Sequence, residues 1–413
     1  MSDRIRRPSP QIAYVLDEFP SLSELFILRE MQGLRERHEL RLAPVALRRG
    51  RHREAYSPAA VEMVEEGVFR PSRLWGLWLL PALVALRWPG GYLSALGIVV
   101  RQGFRRPALL RELVSALLSA GYFALRLPRS LRHVHANFAS MPSTVGLLLA
   151  EIRGTGFSFS AHARDLFTEE AHFLDLKLPE AEFVTVCTAY GRDTLLRRHP
   201  LASGGKVHLV YHGVDVSHYS PVSPSRSALP VILSVGRLVE KKGFPILLRA
   251  AGILRARGIE FRLVIIGEGP ERADLQRLAT GLGVAEVTEF RGAQTGEQVR
   301  QAYAEAEVFV LASVVASDQD RDGLPNVLLE ALACGVPAVA TRVSAIPELI
   351  EPEETGLLAK PGDPEDFAEQ LERMLFDDEL RATVSRLGRE RVVQHFRLER
   401  SVAHMAELLR SAL

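Results

Sequence analysis

The segment Asp322-Gly323-Leu324-Pro325-Asn326-Val327-Leu328-Leu329-Glu330 sets two carboxylates eight positions apart, one before a turn and one about two turns into a helix. Pro325 suits the first helical position, where its missing N–H is not needed. The apolar run continues through Ala331, Leu332 and Ala333, and Gly335 is placed to stop the helix. Free N–H groups at such a start favour an anion, above all a phosphate. The arrangement fits a clamp for a phosphorylated, hydroxyl-rich ligand. It fits equally a βα loop with a solvated aspartate and a surface glutamate.

Two further segments carry chemistry. In Ser234-Val235-Gly236-Arg237-Leu238-Val239-Glu240-Lys241-Lys242-Gly243-Phe244, an apolar run ends on a basic loop. Arg237 and Lys242 flank that loop. Arg grips phosphate oxygens through a planar fork and Lys acts as a point charge, so the pair suits a diphosphate leaving group. A solvated basic loop is the plainer alternative. Val264-Ile265-Ile266-Gly267-Glu268-Gly269-Pro270 is a strand running into a glycine-rich turn. It lacks the third glycine of a dinucleotide fingerprint. Gly267 would suit a backbone wall beside a nucleotide, or only a tight reversal.

Alternation of short apolar runs with longer helical patterns must position these loops, and it predicts an α/β protein with parallel sheets. Strands are expected near 11–16, 39–45, 132–137, 157–161, 183–187 and 207–211, then near 231–235, 261–266, 287–290, 308–311 and 337–340. At 413 residues two domains are the default. The expected division is 1–216, a Ser/Pro-rich linker at 217–230, a second doubly wound unit at 231–390, and a C-terminal helix at 391–413 packing back on the first domain. A break is expected near His395-Phe396-Arg397. A net charge of +1 with 47% hydrophobic residues points to neither disorder nor nucleic-acid binding. Cys187 and Cys334 match no metal spacing and read as buried free thiols of a reducing compartment. The N-terminal stretch Met1 to Pro10 is polar, and the apolar run after it, 12–16, is too short for a signal-peptide core, so a cytoplasmic protein is expected.

Residues 70–132 break the alternation. They hold ten Arg against one acid, Glu112, and all three Trp of the chain. The apolar run at 74–86 is 13 residues, too short to span about 30 Å of hydrocarbon as a helix. Arg with Trp and Leu on helices fits a surface that meets anionic lipid. A helical insertion with arginines on its wet face is the alternative, and the two are compatible.

In this order, the Gly236-Arg237…Lys242-Gly243 loop, the Gly267-Glu268-Gly269-Pro270 turn and the acid-Gly-Leu-Pro…Glu helix resemble the donor domain of the family 4 retaining glycosyltransferases, which adopt the two-Rossmann GT-B architecture. The resemblance covers residues 231–362, including Ala333-Cys334-Gly335-Val336-Pro337 and Glu354-Thr355-Gly356-Leu357-Leu358. It implies that Arg237 and Lys242 hold the donor diphosphate, that Glu330 holds the ribose, and that Asp322, with the amides of Gly323 and Leu324, meets sugar and phosphate. It also implies no metal ion or other cofactor. The chain departs from the pattern at Asp322, where the family acid is usually Glu. The N-terminal half is similar to colanic-acid-type exopolysaccharide transferases in Tyr14-Val15-Leu16-Asp17-Glu18-Phe19-Pro20-Ser21-Leu22-Ser23-Glu24, His133-Val134-His135-Ala136-Asn137-Phe138, Phe157-Ser158-Phe159-Ser160-Ala161-His162-Ala163-Arg164-Asp165 and Val210-Tyr211-His212-Gly213-Val214-Asp215. That likeness implies that His162 faces the donor sugar, with His135 supporting it. Ser21 and Ser23 lie where the first βα turn caps a helix or meets the acceptor.

The resulting expectation is a retaining hexosyltransferase that moves sugar from a nucleotide-diphosphate donor to a glycan, one linked to polyprenyl diphosphate at the anionic inner face of the plasma membrane. The alternatives are a nucleotide-sugar epimerase or hydrolase, or a non-catalytic scaffold of a glycan assembly complex. A phosphorylase would need a pyridoxal-binding Lys, and none of the five lysines sits in a convincing site.

Overall fold

The computed structural model describes residues 11–21, 24–50, 58–71, 79–168, 173–200, 205–221 and 229–413. The stretch 1–10, Ser23, Trp75 and Trp78 with most of the early apolar run, and linker positions 222–228 lie outside the described residues. The chain forms two compact units. The first takes residues up to Cys187, Arg192–Val210 and Val402–Leu413; the second takes Thr188–Gly191 and Tyr211–Ser401.

The first unit is built on seven parallel strands: β1 (Ile12–Phe19), β2 (Leu42–Arg49), β3 (Val68–Phe69), β4 (His133–Asn137), β5 (Gly156–Ala161), β6 (Phe183–Val186) and β7 (Val207–Leu209), ordered β3-β2-β1-β4-β5-β6-β7. The second holds β8 (Val231–Val235), β9 (Arg262–Ile266), β10 (Thr288–Gly292), β11 (Val308–Leu311), β12 (Ala338–Thr341) and β13 (Leu357–Ala359), ordered β10-β9-β8-β11-β12-β13 and also parallel. β1 and β8 are buried along almost their whole length, which is why they read as near-continuous apolar runs; β4 is equally buried but holds His133, His135 and Asn137. Strand order reverses beside β1 and beside β8. Loops at the carboxyl ends of the strands there are where an open α/β sheet takes its ligands.

The expected strands are all present, with ends shifted by no more than four residues and two of them, β8 and β11, unshifted. Two more, β3 and β13, sit on sheet edges and are two and three residues long. The break near His395 separates the helices Asp378–His395 and Leu398–Ser411. Val214 fixes it, accepting from Leu398 N–H at 3.0 Å and donating to Phe396 C=O at 2.8 Å. In the first unit the last segment packs on the helix Leu25–Glu36. A Cβ on Gly33 would sit 2.9 Å from a Val402 methyl.

Residues 80–126 form three helices, Leu80–Arg87, Pro89–Arg105 and Leu110–Arg126, between β3 and β4. Their inner faces, among them Val84, Ala95, Val99, Leu113, Leu117 and Phe123, join the core of the first unit. Pro107–Arg126 is long and apolar enough to cross a membrane by length and composition, but 44% of its apolar 18-residue stretch is buried inside the protein. Trp88 does not face outward as the lipid reading expected. Its ring is flanked by the guanidinium groups of Arg87 at 5.5 Å and Arg153 at 5.0 Å. Arg153 also donates to the C=O groups of Ala124, Leu127 and Pro128, which closes the end of the last insertion helix. Trp88 and Arg153 are therefore framework.

Candidate donor site

The site in the second unit is assembled from two segments, the turn after β8 and the loop after β11. Past Val235 the chain runs through Gly236 and Arg237 into the 3-10 turn Glu240–Lys242. Gly243 ends this turn at φ +63°, and a Cβ there would lie 1.8 Å from Ala312 C=O, so only glycine allows the approach. The helix Phe244–Ala256 follows.

The turn and the loop are laced together. Val314 N–H donates to Lys241 C=O at 2.9 Å, and Ser317 donates to the Glu240 carboxylate through its backbone N–H and its hydroxyl. Lys241 pairs with Asp320 at 2.9 Å, and Lys242 pairs with Asp322 Oδ2 at 2.9 Å. Ser313 Oγ donates to that same Oδ2 at 2.7 Å. Asp322 is buried. Burial works to raise its pKa, but Lys242, then Lys241, with hydrogen bonds from Lys242 and Ser313, outweigh it and hold the carboxyl below its ordinary value. The Lys242 stem lies over Gly236, about 3.4 Å from where a Cβ would stand.

The Arg237 side chain is exposed and has no hydrogen-bond or ion-pair partner among the described residues. The N–H groups of half-buried Gly323 and buried Leu324 also have no partner among the described residues. Arg237 and these two amides are thus open to an anion beside the tethered Lys242.

Pro325 is the N-cap of the helix Asn326–Ala333 rather than its first residue. Its ψ of 123° keeps it extended while its C=O accepts from Leu328 N–H at 3.1 Å. Gly335, at φ +78°, stops this helix as expected, donating to Leu332 C=O while Val336 donates to Ala331 C=O. Glu330, on the second turn, accepts from the buried Tyr303 hydroxyl at 3.2 Å. Burial first, and the Glu330 charge second, hold the Tyr303 phenol well above its usual range, so it stays a donor.

Gly267 has a role the sequence did not suggest. At φ +143° its Cβ would lie 1.9 Å from Gly236 C=O, and its N–H is taken up by Gly292 C=O at 2.8 Å. Gly236 N–H donates to Ile266 C=O and Leu238 N–H to Glu268 C=O, so the loops after β8 and β9 continue their ladder past the strand ends. Gly267 permits this contact between backbones.

His162, like His135 and Ser21, belongs to the first unit, whereas the residues expected to meet the nucleotide and diphosphate belong to the second. It is the N-cap of the helix Ala163–Phe167, and its N–H donates to Asp165 Oδ2 at 3.0 Å. Its ring packs on Phe138 at 4.8 Å and Phe26 at 5.4 Å, with Nε2 3.3 Å from Asn137 Oδ1. His135 is fully buried and bound to Ser158 and Ser160 hydroxyls at 2.8 and 3.0 Å. Burial, then the His133 charge, push its pKa down to about 3. The N-cap of the first helix is Glu24, not Ser21, and Ser23 lies outside the described residues. Sequence reasoning missed Ser313 and Tyr303. Ser313 had one usable signal, its place just past the carboxyl end of β11; Tyr303 had none.

A family model, glycosyl transferases group 1, matches residues 217–391. Over those residues the chain is similar to glycosyl transferases group 1. WcaL of Escherichia coli (strain K12), named for colanic acid biosynthesis, is 35% identical over 209 residues, covering 50% of this chain and 51% of that one. The amylovoran biosynthesis glycosyltransferase AmsK of Erwinia amylovora is 35% identical over 178 residues, 43% of this chain and 44% of its own. The chain thus spans about half the length of these curated relatives. The solved structure of Anabaena HepE in complex with UDP has a TM-score of 0.69 at 19% identity, covering 97% of this chain and 100% of that one. Sucrose-phosphate synthase of Thermosynechococcus elongatus has a TM-score of 0.68 at 19% identity, covering 98% and 99%. The two Rossmann-like units are those of the GT-B fold.

Proposed function

We propose that the protein is a retaining hexosyltransferase that moves sugar from a nucleotide-diphosphate donor to a lipid-linked glycan in cell-surface polysaccharide synthesis. The acceptor class is polyprenyl-diphosphate glycan at the inner membrane face, reached from the cytoplasm. The observation that carries the reading is the open Arg237 beside Lys242, whose ammonium is held on Asp322. The names of similar proteins support it: HepE is solved with UDP and with UDP-glucose, and two relatives are named for exopolysaccharide synthesis.

In this reading, breaking the sugar C1–O bond builds negative charge on the diphosphate. Arg237, Lys242 and the Gly323 and Leu324 amides neutralise it without a metal ion. Glu330 orients the ribose and Asp322 the sugar hydroxyls, which supplies positioning rather than proton transfer. The acceptor hydroxyl attacks on the face the leaving group departs from, and the departing phosphate oxygen takes its proton, which retains the anomeric configuration.

The test is a panel of nucleotide sugars scored by thermal shift, followed by turnover of the stabilising donor with membrane lipid extract. Transfer into the lipid fraction is expected. Release of free sugar with no transfer would favour a hydrolase, and donor binding with no turnover on any extract a scaffold.

A further inference from the structure

The three insertion helices bury one face each and leave the other uncovered. Of the twelve large hydrophobic residues exposed among the described residues, nine lie between Leu79 and Leu125. That concentration cannot be scatter over an ordinary surface, where single exposed apolar residues are normal. Leu86 is 81% exposed, Leu93 64% and Phe104 86%. On Pro89–Arg105 the outward positions include Leu93, Ser94, Gly97, Val100, Arg101, Phe104 and Arg105, at the spacing of one helical face, while Ala95, Val99, Gln102 and Gly103 face the core. Arg87, Arg106, Arg111 and Arg126 are exposed beside them. Between 79 and 126 the only acid is Glu112.

We infer that this face is a docking surface for an anionic lipid bilayer, with Leu86, Leu93 and Phe104 entering the headgroup–acyl boundary and Arg101 and Arg105 meeting lipid phosphates. A second copy of this chain would bring the same arginines against themselves, a like-charge contact. A bilayer of acidic lipids supplies apolar depth and negative charge at once. Arg stems lie along the apolar layer while the guanidinium groups stay at headgroup level. The inference stands on exposed side chains and charge and does not depend on the transferase reading.

The test is co-sedimentation of the full chain with phosphatidylglycerol-containing vesicles and with pure phosphatidylcholine vesicles, at low and high salt. Binding to the anionic vesicles is expected, weakened by salt. Leu93→Ser with Phe104→Ser should weaken it at least about tenfold. Arg101→Ser with Arg105→Ser should cost about fivefold per arginine at low salt and flatten the salt dependence. All four positions are exposed, so melting temperature should hold in both variants. Wild-type protein that ignores anionic vesicles, or binding unchanged in both variants, overturns the inference. So does concentration-dependent dimerisation that the Leu93/Phe104 variant abolishes while vesicles go unbound.

Discussion

Lys242 Nζ and Asp322 Oδ2 stand 2.9 Å apart, with side chains only 12% and 9% exposed, and Ser313 donates to the same oxygen. A diphosphate that drew on Lys242 would therefore compete with the carboxylate proposed to meet the sugar. In the proposed site, phosphate and sugar recognition are coupled through one ion pair. Asp322→Glu tests the shortened acid. If the side chain's reach decides donor preference, the variant will change the ranking of nucleotide sugars in thermal shift and turnover; an unchanged ranking and rate would show the missing methylene to be inconsequential.

Asp322→Asn keeps the shape and removes the charge. Because the folded carboxyl titrates below its ordinary 3.8, its contribution to stability is present above that pH and is lost as pH falls through the folded value. The variant should unfold about 1–3 kcal/mol more easily at neutral pH, as expected for leaving a largely buried ammonium unpaired. Chemical denaturation against pH should show that gap closing below about pH 4.

Arg237→Ala should lower turnover by about a hundredfold or more, the scale of losing one charge-stabilising donor in a transition state. Its side chain is exposed and unpartnered among the described residues, so stability should move by no more than about 0.5 kcal/mol. Unchanged turnover would remove Arg237 from the diphosphate site.

Gly243→Ala and Gly267→Ala should each cost several kcal/mol, because the new methyl would lie 1.8 and 1.9 Å from a backbone oxygen. Hydrogen exchange should locate the damage. Amides of β8 and the 240–243 turn lose protection in the first variant, and those of β8 and β9 in the second.

His135 makes a pH signature in the first unit. Burial and the neighbouring His133 hold its imidazole down to about 3, while an unfolded chain takes up the proton near 6.5. The stability of wild type relative to His135→Asn should thus be constant above pH 6.5 and fall by about 1.4 kcal/mol per unit as pH drops toward 3. Urea unfolding of both proteins between pH 7 and 4 measures it.

Both sheets were legible because buried parallel strands announce themselves as apolar runs. β3 and β13 were not, since two or three residues at an edge carry no period. The Asp322, Arg237 and Lys242 segments were legible by type and order. What could not be read was contact across the fold: that Lys242 reaches Asp322, that Tyr303 supports Glu330, that Gly267 exists for Gly236. Pro325 was misplaced by one residue because proline's fixed φ serves an extended N-cap as readily as a first helical turn. Trp88 was read as interfacial from composition alone, and its two arginine neighbours, one of them distant in sequence, give it another task.

The path of the chain has a consequence for how it is made. The first unit is interrupted twice and finishes only with Val402–Leu413, where Val402 meets Gly33. During synthesis, everything through Ser401 leaves the ribosome before the first unit receives its last helical segment. Its amino-terminal sheet must wait, incompletely covered, while the second unit has its whole sequence in hand. Cutting the chain once between the two units would give one fragment lacking its closing piece and another carrying a piece with nothing to close.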